Sequence, residues 1–350
     1  MPPVHFISAV TAQGLGGGVT VWKALLEQPG FDAVLHYSSL GRLAWDSFQP
    51  DGLGHVVHQG WRTYENRGYA TYDESPRDFQ LAQIPARATV VFDSIESVRQ
   101  LALPLAERGC RLLWHVHSPH RFLRRRPLDI ARDLRRLRRL DGLVFVSSFL
   151  RRQFDHSTLN RPFSPLLHAT RAVVHNGVAG IPHPVTASSD YVLYFGRYDG
   201  YKNPLFLEQL GTEVRYAGTA RGCQHPAQVP PERDLGWLSP DEVAKHGDIF
   251  VFPAIGEAFG LAVVEMMQRG KIVIAFRSGA FPETIEHGVS GFLIEPFDAS
   301  AAREILARLR ADPALAGRIK QGALRRAAHF SVERYREAFL RELQPSTATR

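Results

Sequence analysis

Between Gly247 and Pro296 the chain reads GDIFVFPAIGEAFGLAVVEMMQRGKIVIAFRSGAFPETIEHGVSGFLIEP. Ile249–Phe252 is a short apolar run of the kind that forms a buried parallel strand. A tight turn over Pro253–Gly256 follows, then a helix from Gly260 to Gln268 that Gly270 stops. Lys271–Phe276 is a second buried strand, and Pro282–Glu286 opens another short helix. The product is a strand–loop–helix–strand unit whose loop is rich in small residues. Glu257 in the loop and Glu265 in the helix bracket the helix start. Gly260 lets a ligand approach the backbone closely, and the first free N–H groups of that helix favour an anion. A βαβ unit with two solvated glutamates fits the same pattern, so both readings stand for this stretch alone.

Upstream, a second α/β series begins at Tyr191. Strand Tyr191–Phe195 ends in Gly196-Arg197, and Lys202-Asn203-Pro204-Leu205 starts a helix. A strand end that delivers Arg197, with Lys202 at the mouth of the next helix, makes an oxyanion clamp; two solvated basic side chains are the plainer reading. Strand Glu213–Ala217 leads to an irregular loop through Asp234–Leu238, and helices fill 299–310, 313–329 and, behind a Ser331 cap, 332–343. The Pro-, Ser- and Ala-rich run Val178–Asp190 reads as a linker.

Before the linker the alternation has the same character. Val4–Val10 is a strand, followed by the loop Gly14-Leu15-Gly16-Gly17-Gly18 and a helix over Val19–Leu26. Glycines between strand and helix suit phosphate held by backbone N–H groups, but the spacing is not the dinucleotide fingerprint and no P-loop lysine is present. Phe31–Tyr37 is a second strand. Ser38–Arg77 reads as irregular, with aromatics such as Trp45, Trp61 and Tyr72 that suit either a binding wall or an ordinary surface insertion. Strands Thr89–Asp93, Arg111–His117 and Gly142–Val146 flank the helix Ser94–Arg108. Strands separated by helices argue for a parallel sheet covered on both faces, with ligands outside its carboxyl ends. His117 falls at such an end, in Trp114-His-Val-His-Ser-Pro-His120; no carboxylate or cysteine completes a metal set there.

Composition bounds the function. At 350 residues, 44% hydrophobic and 22% charged, the chain has room for two domains with sizeable cores. Its two cysteines, Cys110 and Cys223, form neither a disulfide framework nor a zinc pattern, which points to a reducing cytoplasm. The start, MPPVHFISAV, has no charged region ahead of an apolar one, so no signal peptide is expected, and no apolar run approaches a membrane span. The net charge of +7 fits an anionic partner. Arginines crowd the segment Arg121–Arg139, where Pro127–Leu140 forms an amphipathic helix with Ile130, Leu134 and Leu137 on one side. That suits an anionic membrane surface, or simply a solvated helix face; nothing interleaves aromatics with the arginines, so nucleic acid is not an expected partner.

Taken together, these residues resemble the GT-B glycosyltransferases, most closely the large retaining family numbered four, the glycosyl transferases group 1. Glu257-Ala-Phe-Gly-Leu-Ala-Val-Val-Glu265 is similar to that family's E-x7-E element, with Ala258 where glycine is usual. Gly196-Arg197 through Lys202-Asn203 resembles its GR…KN segment, Gly16-Gly-Gly-Val19 its glycine loop, and His117-Ser-Pro its strand-end histidine. Arg277-Ser-Gly-Ala280 stands where the family often has a glycine pair before Pro-Glu.

The resemblance implies an α/β fold of two Rossmann-like lobes, 1–178 for the acceptor and 179–330 for the donor, with the site in the cleft and residues 331–350 crossing back to the first lobe. It also implies roles. Arg197 and Lys202 would hold and stabilise the departing diphosphate, Glu265 would bind ribose hydroxyls, and Glu257 would contact the transferred sugar. Amides near Phe259, Gly260 and Leu261 would meet phosphate; His117 would approach the reacting sugar, and Gly17 and Gly18 the pyrophosphate. Base contacts would come from Asp234–Leu238. No Asp-x-Asp pair is present, so no metal and no cofactor is expected: the cations and the helix N-terminus would neutralise the diphosphate. The implied reaction is retaining transfer from a nucleoside-diphosphate sugar to a saccharide or lipid-linked saccharide, in polysaccharide or glycolipid assembly, in the cytoplasm or on the inner membrane face. A small soluble acceptor, or a catalytically silent binding protein of the same shape, is the alternative.

Overall fold

Two parallel sheets account for most of the strands, and each is built around its own apolar centre. The structure is a computed structural model that describes residues 3–8, 17–26, 33–38, 55–59, 64–66, 69–71, 81–119, 127–157, 160–180, 184–221, 223 and 225–344. The chain divides into two compact units: Met1–His175 with Tyr335–Arg350, and Asn176–Arg334.

In the first unit the elements run β1 (Val4–Ser8), α1 (Gly17–Leu26), β2 (Ala33–Ser38), β3 (His55–Gln59), the short hairpin β4 (Tyr64–Asn66) and β5 (Tyr69–Thr71), then β6 (Thr89–Phe92). They continue as α2 (Ile95–Glu107), β7 (Arg111–Val116), α3 (Pro127–Leu137), β8 (Gly142–Phe145), α4 (Ser148–His156) and β9 (Thr170–Val173). Seven strands form the sheet in the order β3-β2-β1-β6-β7-β8-β9, all parallel. The central strands β1, β7 and β8 are buried on both faces, and the mainly apolar runs that mark them also bury His5 and His115. Ser94 caps α2 by accepting from the Ser97 amide, and Ser147 caps α4 through the Leu150 amide, which fixes where both helices begin.

Two readings of this unit change. The 38–77 segment is not irregular throughout: His55–Gln59 is a strand on the sheet edge, paired with β2, and a hairpin follows. His55-Val-Val-His-Gln59 has only two apolar residues in a row. An edge strand meets one neighbour only, so it need not carry the apolar run that marks a central one. The second change concerns the glycines. Gly17 and Gly18 open α1 instead of lying in the loop before it, while Gly14–Gly16 and the aromatics Trp45, Trp61 and Tyr72 lie outside the described residues.

The second unit holds β10 (Val192–Arg197), β11 (Val214–Thr219), α5 (Pro240–Val243), β12 (Ile249–Phe252), α6 (Leu261–Gln268), β13 (Ile272–Phe276), α7 (Phe281–Thr284), β14 (Phe292–Ile294), α8 (Ala299–Ala311) and α9 (Pro313–Ala327). Its five-stranded parallel sheet has the order β11-β10-β12-β13-β14. Tyr194, Tyr216, Val251, Ile274 and Phe276 form its centre, with Phe206, Leu207, Ile305 and Leu309 packed on it. The run read as a linker is fastened to this unit: the amides of Val178, Val185 and Ser188 donate to the carbonyls of Phe330, Arg269 and Lys245. The last helix, α10 (Val332–Leu343), places Phe339 against Phe6 and Tyr335 beside His115, and the Arg111 guanidinium donates to the carbonyls of Glu342 and Leu343. Among the described residues no helix is long and apolar enough to cross a membrane.

Candidate active site

In an open parallel sheet, ligands sit outside the carboxyl ends of the strands where the strand order reverses. In the second unit that reversal lies between β10 and β12, since β11 follows β10 on one side and β12 pairs on the other. The loops leaving these two strands are the ones that carry Arg197, Lys202 and Glu257. The topology thus brings together residues that are 60 positions apart in sequence, 197 to 257.

β10 ends at Arg197, whose carbonyl accepts from the Tyr194 hydroxyl at 2.5 Å. The guanidinium forms an ion pair with Asp199 at 2.6 Å; Asp199 is nearly buried, Arg197 about one-third exposed. Beyond it the backbone does not enter an α-helix, as the sequence suggests. A 3-10 turn covers Gly200–Lys202, Asn203 takes a left-handed conformation with φ of 47°, and a second 3-10 helix spans Pro204–Leu210. Asn203 also donates to the Pro253 carbonyl at 3.0 Å, so this turn is tied to the end of β12. Pro204 explains the break: it lacks a donor and biases the residue before it away from right-handed helix. Lys202 therefore ends a turn instead of opening a helix, and its ammonium donates to Glu257 at 2.6 Å. Burial works against the charge on Lys202, but Glu257 and then Tyr201 more than offset it, so its pKa is raised.

The loop after β12 is held by close backbone packing. The Gly256 amide donates to the Ser278 hydroxyl at 3.0 Å, and Ala280 donates to the Glu257 carbonyl at 2.9 Å. Gly279, with φ of 62°, lies so near that a Cβ on it would stand 2.4 Å from the Glu257 carbonyl oxygen. This is what Arg277-Ser-Gly-Ala280 does in place of a glycine pair: one glycine packs under the loop and the serine anchors it. Gly260 is not the first helical residue but the N-cap of α6, left-handed at φ of 92°, and no side chain caps the helix. A Cβ there would strike the Phe281 ring at 2.7 Å. Phe259 is buried against Phe330, so only its backbone is offered to a ligand.

Glu265 lies one turn into α6, half-buried, and its carboxylate has no hydrogen-bond partner among the described residues. Burial raises its pKa, with Arg269 pulling the other way. The Arg269 guanidinium is spent elsewhere, on Asp241 at 2.8 Å and the Glu265 carbonyl at 2.8 Å. A partnerless carboxylate beside an uncapped helix start is an acceptor without a donor. Its partners on a bound molecule would be hydroxyls or amides.

Sequence reasoning missed Asp199 and Ser278. Asp199 shares the Gly196–Lys202 segment, and its charge two residues from Arg197 was the available signal. Ser278 is engaged only across 22 residues, and nothing local marks it. Further out, the Tyr198 hydroxyl donates to Asp234 at 2.6 Å and the Leu235 amide to Tyr216, which pins the Asp234–Leu238 loop along β10 and β11; Trp237 in that loop is more than half exposed.

His117 belongs to the first unit, one residue beyond β7. Its ring stands 4.1 Å from that of His115, and its Nε2 is buried without a partner. Burial lowers its pKa to about 4, so the imidazole is neutral at physiological pH. His115 accepts from the Trp22 indole at 3.0 Å. For Gly17 and Gly18 the structure gives their place at the start of α1.

Two units with parallel, doubly wound sheets of this kind have the GT-B fold. The comparisons agree. The Anabaena HepE protein, solved in complex with UDP and glucose, superposes over 98% of this chain and 99% of its own with a TM-score of 0.71 at 15% identity. Residues 235–326 match the family model described as Glycosyl transferases group 1. Sucrose synthase of Acidithiobacillus caldus is 44% identical over 103 residues, 28% of this chain, and D-inositol 3-phosphate glycosyltransferase of Corynebacterium jeikeium is 32% identical over 132 residues, 38% of this chain. The matched regions span 13% and 30% of those two relatives. The segment that holds Glu257, Gly260 and Glu265 is thus similar to the glycosyl transferases group 1.

Proposed function

We propose that this chain transfers a sugar from a nucleoside-diphosphate donor, with retention and without a metal. One observation carries the reading: at the sheet's reversal point, Arg197, Lys202, Glu257 and the uncapped start of α6 converge, with partnerless Glu265 one turn behind. In our reading the diphosphate takes Arg197 and Lys202 from Asp199 and Glu257, and its oxygens receive the α6 amides from Phe259 to Leu261. Glu265 takes the ribose hydroxyls, and Glu257, released from Lys202, turns to the sugar. As the anomeric carbon–oxygen bond to phosphate breaks, negative charge grows on the leaving oxygen, where fixed cations lower the barrier. The acceptor oxygen bonds to the anomeric carbon on the same face, and its proton passes to the departing phosphate. We further assign to neutral His117 a hydrogen bond to sugar hydroxyls, and to the backbone of Gly17 and Gly18 a contact with the pyrophosphate.

Because HepE was solved with UDP, a UDP-sugar is the first donor to try. Thermal shift against UDP-, GDP-, ADP- and TDP-sugars tests the reading. One nucleotide should raise the Tm, since a ligand at about a hundred times its Kd adds about 2.7 kcal/mol. Arg197→Ala and Glu265→Ala should each abolish most of the shift, whereas Glu257→Ala should keep it and slow transfer. A panel that stabilises nothing, or a shift indifferent to Arg197 and Glu265, would overturn the assignment.

For the acceptor we favour a saccharide presented at an anionic membrane surface. The outward face of α3 and the turn after it supports this: Leu128 is 72% exposed, and Arg132, Arg135, Arg138 and Arg139 follow it at helical spacing on the solvent side. Of these four, Arg132 alone has an acidic partner among the described residues, Asp129 at 3.4 Å. Arg121, Arg124, Arg125 and Arg126 lie outside the described residues. Each arginine near such a surface contributes about 1 kcal/mol. The chain should float with anionic vesicles at low salt, and Arg135→Glu with Arg138→Glu should leave it in the pellet fraction. Absence of flotation would favour the second reading, a small soluble polyol or phosphosugar acceptor, which the names of the two curated relatives support.

A further inference from the structure

A groove of about 490 Å³ lies in the second unit between the turn at Gly288–Val289 and the outer side of α9. That turn sits just before β14, at the amino ends of the strands, whereas the donor residues follow the carboxyl ends of β10 and β12. The groove is therefore on the opposite edge of the same sheet. Its floor is apolar: Val289, 45% exposed, with part-buried Leu315, over Ile319 of the core beneath. Its rim is basic. Arg325 has no acidic partner among the described residues, and Arg318 has only Asp312 at 3.8 Å, with both side chains largely in solvent. These arginines are seven residues apart on one helix, about 10 Å along the axis, and so bracket the groove.

The glycines of α9 sharpen the picture. Gly322 is required by packing, because a Cβ on it would stand 1.9 Å from the Val289 carbonyl oxygen. Gly317 is not: a Cβ there meets nothing within 4 Å. A glycine inside a helix lowers its stability relative to alanine. Here the missing side chain serves no contact within the chain, and the space it leaves opens into the groove.

We propose that this groove binds a small amphiphilic anion, with an aryl or short acyl body on Val289 and Leu315 and a carboxylate, sulfonate or phosphate at Arg325. The test uses the full chain and anilinonaphthalene sulfonate, which has that chemistry and fluoresces in an apolar site. Binding should saturate at one equivalent and persist in excess UDP. Arg325→Glu should weaken it at least tenfold. Gly317→Leu, whose Cβ has open space around it and whose side chain enters the groove, should weaken it as much while leaving the Tm equal or higher, because leucine favours a helix over glycine. Displacement of the probe by UDP, or Arg325→Glu binding like the parent, would overturn the proposal.

Discussion

Glu265 carries a cost in the free protein that a donor would remove. Its folded pKa lies above the ordinary 4.5, so between those values the folded state holds a proton that the unfolded chain has lost. Stability therefore falls as pH rises through that window, and at neutral pH the charged carboxylate is a standing penalty. Glu265→Gln should consequently raise the Tm of the ligand-free chain. It should also weaken the stabilising nucleotide by roughly 10- to 100-fold, the scale of a lost hydrogen bond to a charged group. Calorimetry with and without nucleotide separates the two effects; a Tm that falls in the free protein would mean that Glu265 has a structural partner. Lys202 and Glu257 show the complementary device, since each neutralises the other in the free chain. That arrangement was half legible. The acidic and basic residues stand out in Glu257–Glu265 and Arg197–Lys202 because their spacing is local. Their partners Asp199 and Ser278 do not, because the contacts that give them a role exist only once the strands are side by side.

Among elements, the loop between β12 and α6 depends on what lies beneath it. Gly279 meets backbone atoms of Gly256 and Glu257, which cannot rotate away as a flexible side chain would. Gly279→Ala therefore has to strain a left-handed residue or lift the loop, at a cost of about 2–4 kcal/mol. Either way Glu257 moves relative to Lys202, and transfer should drop at least tenfold while the far-UV spectrum stays intact. Full activity in that variant would mean that the loop is not held from below. The other support is α9, whose Arg326 donates to the carbonyls of Glu283 and Thr284 at 2.6 and 3.2 Å and so clamps α7 under Gly260. Central strands and long helices were readable from apolar runs and caps. The edge strand β3 and the 3-10 turns around Asn203 were not, since one lacks a strong pattern and the others follow from a proline and a tertiary hydrogen bond.

At the scale of the molecule, the two units differ in how they carry histidine. His5, His36, His115 and His117 all lie in the first unit, and all four have lowered pKa values. Burial depresses each; His36 falls to about 3, with His5 adding to the effect, and His117 to about 4. His5 and His36 share a hydrogen bond at 2.9 Å across β1 and β2, and the rings of His115 and His117 meet, tilted at 53°, at the end of β7, so the neutral rings are built into the sheet. Their unfolded pKa is near 6.5, so below that value the unfolded chain takes up protons that the folded unit refuses. Stability is whole above about pH 6.5 and declines as pH falls toward 4, by about 2 kcal/mol at pH 5 for each of His36 and His117. Acid should therefore melt the first unit ahead of the second. Calorimetry at pH 7 and pH 5 should resolve two transitions at the lower pH, only the second responding to the stabilising nucleotide at full amplitude. His117→Gln should recover part of the lost Tm in the first. If both transitions move together, or neither moves, the buried histidines are not what links this fold to pH.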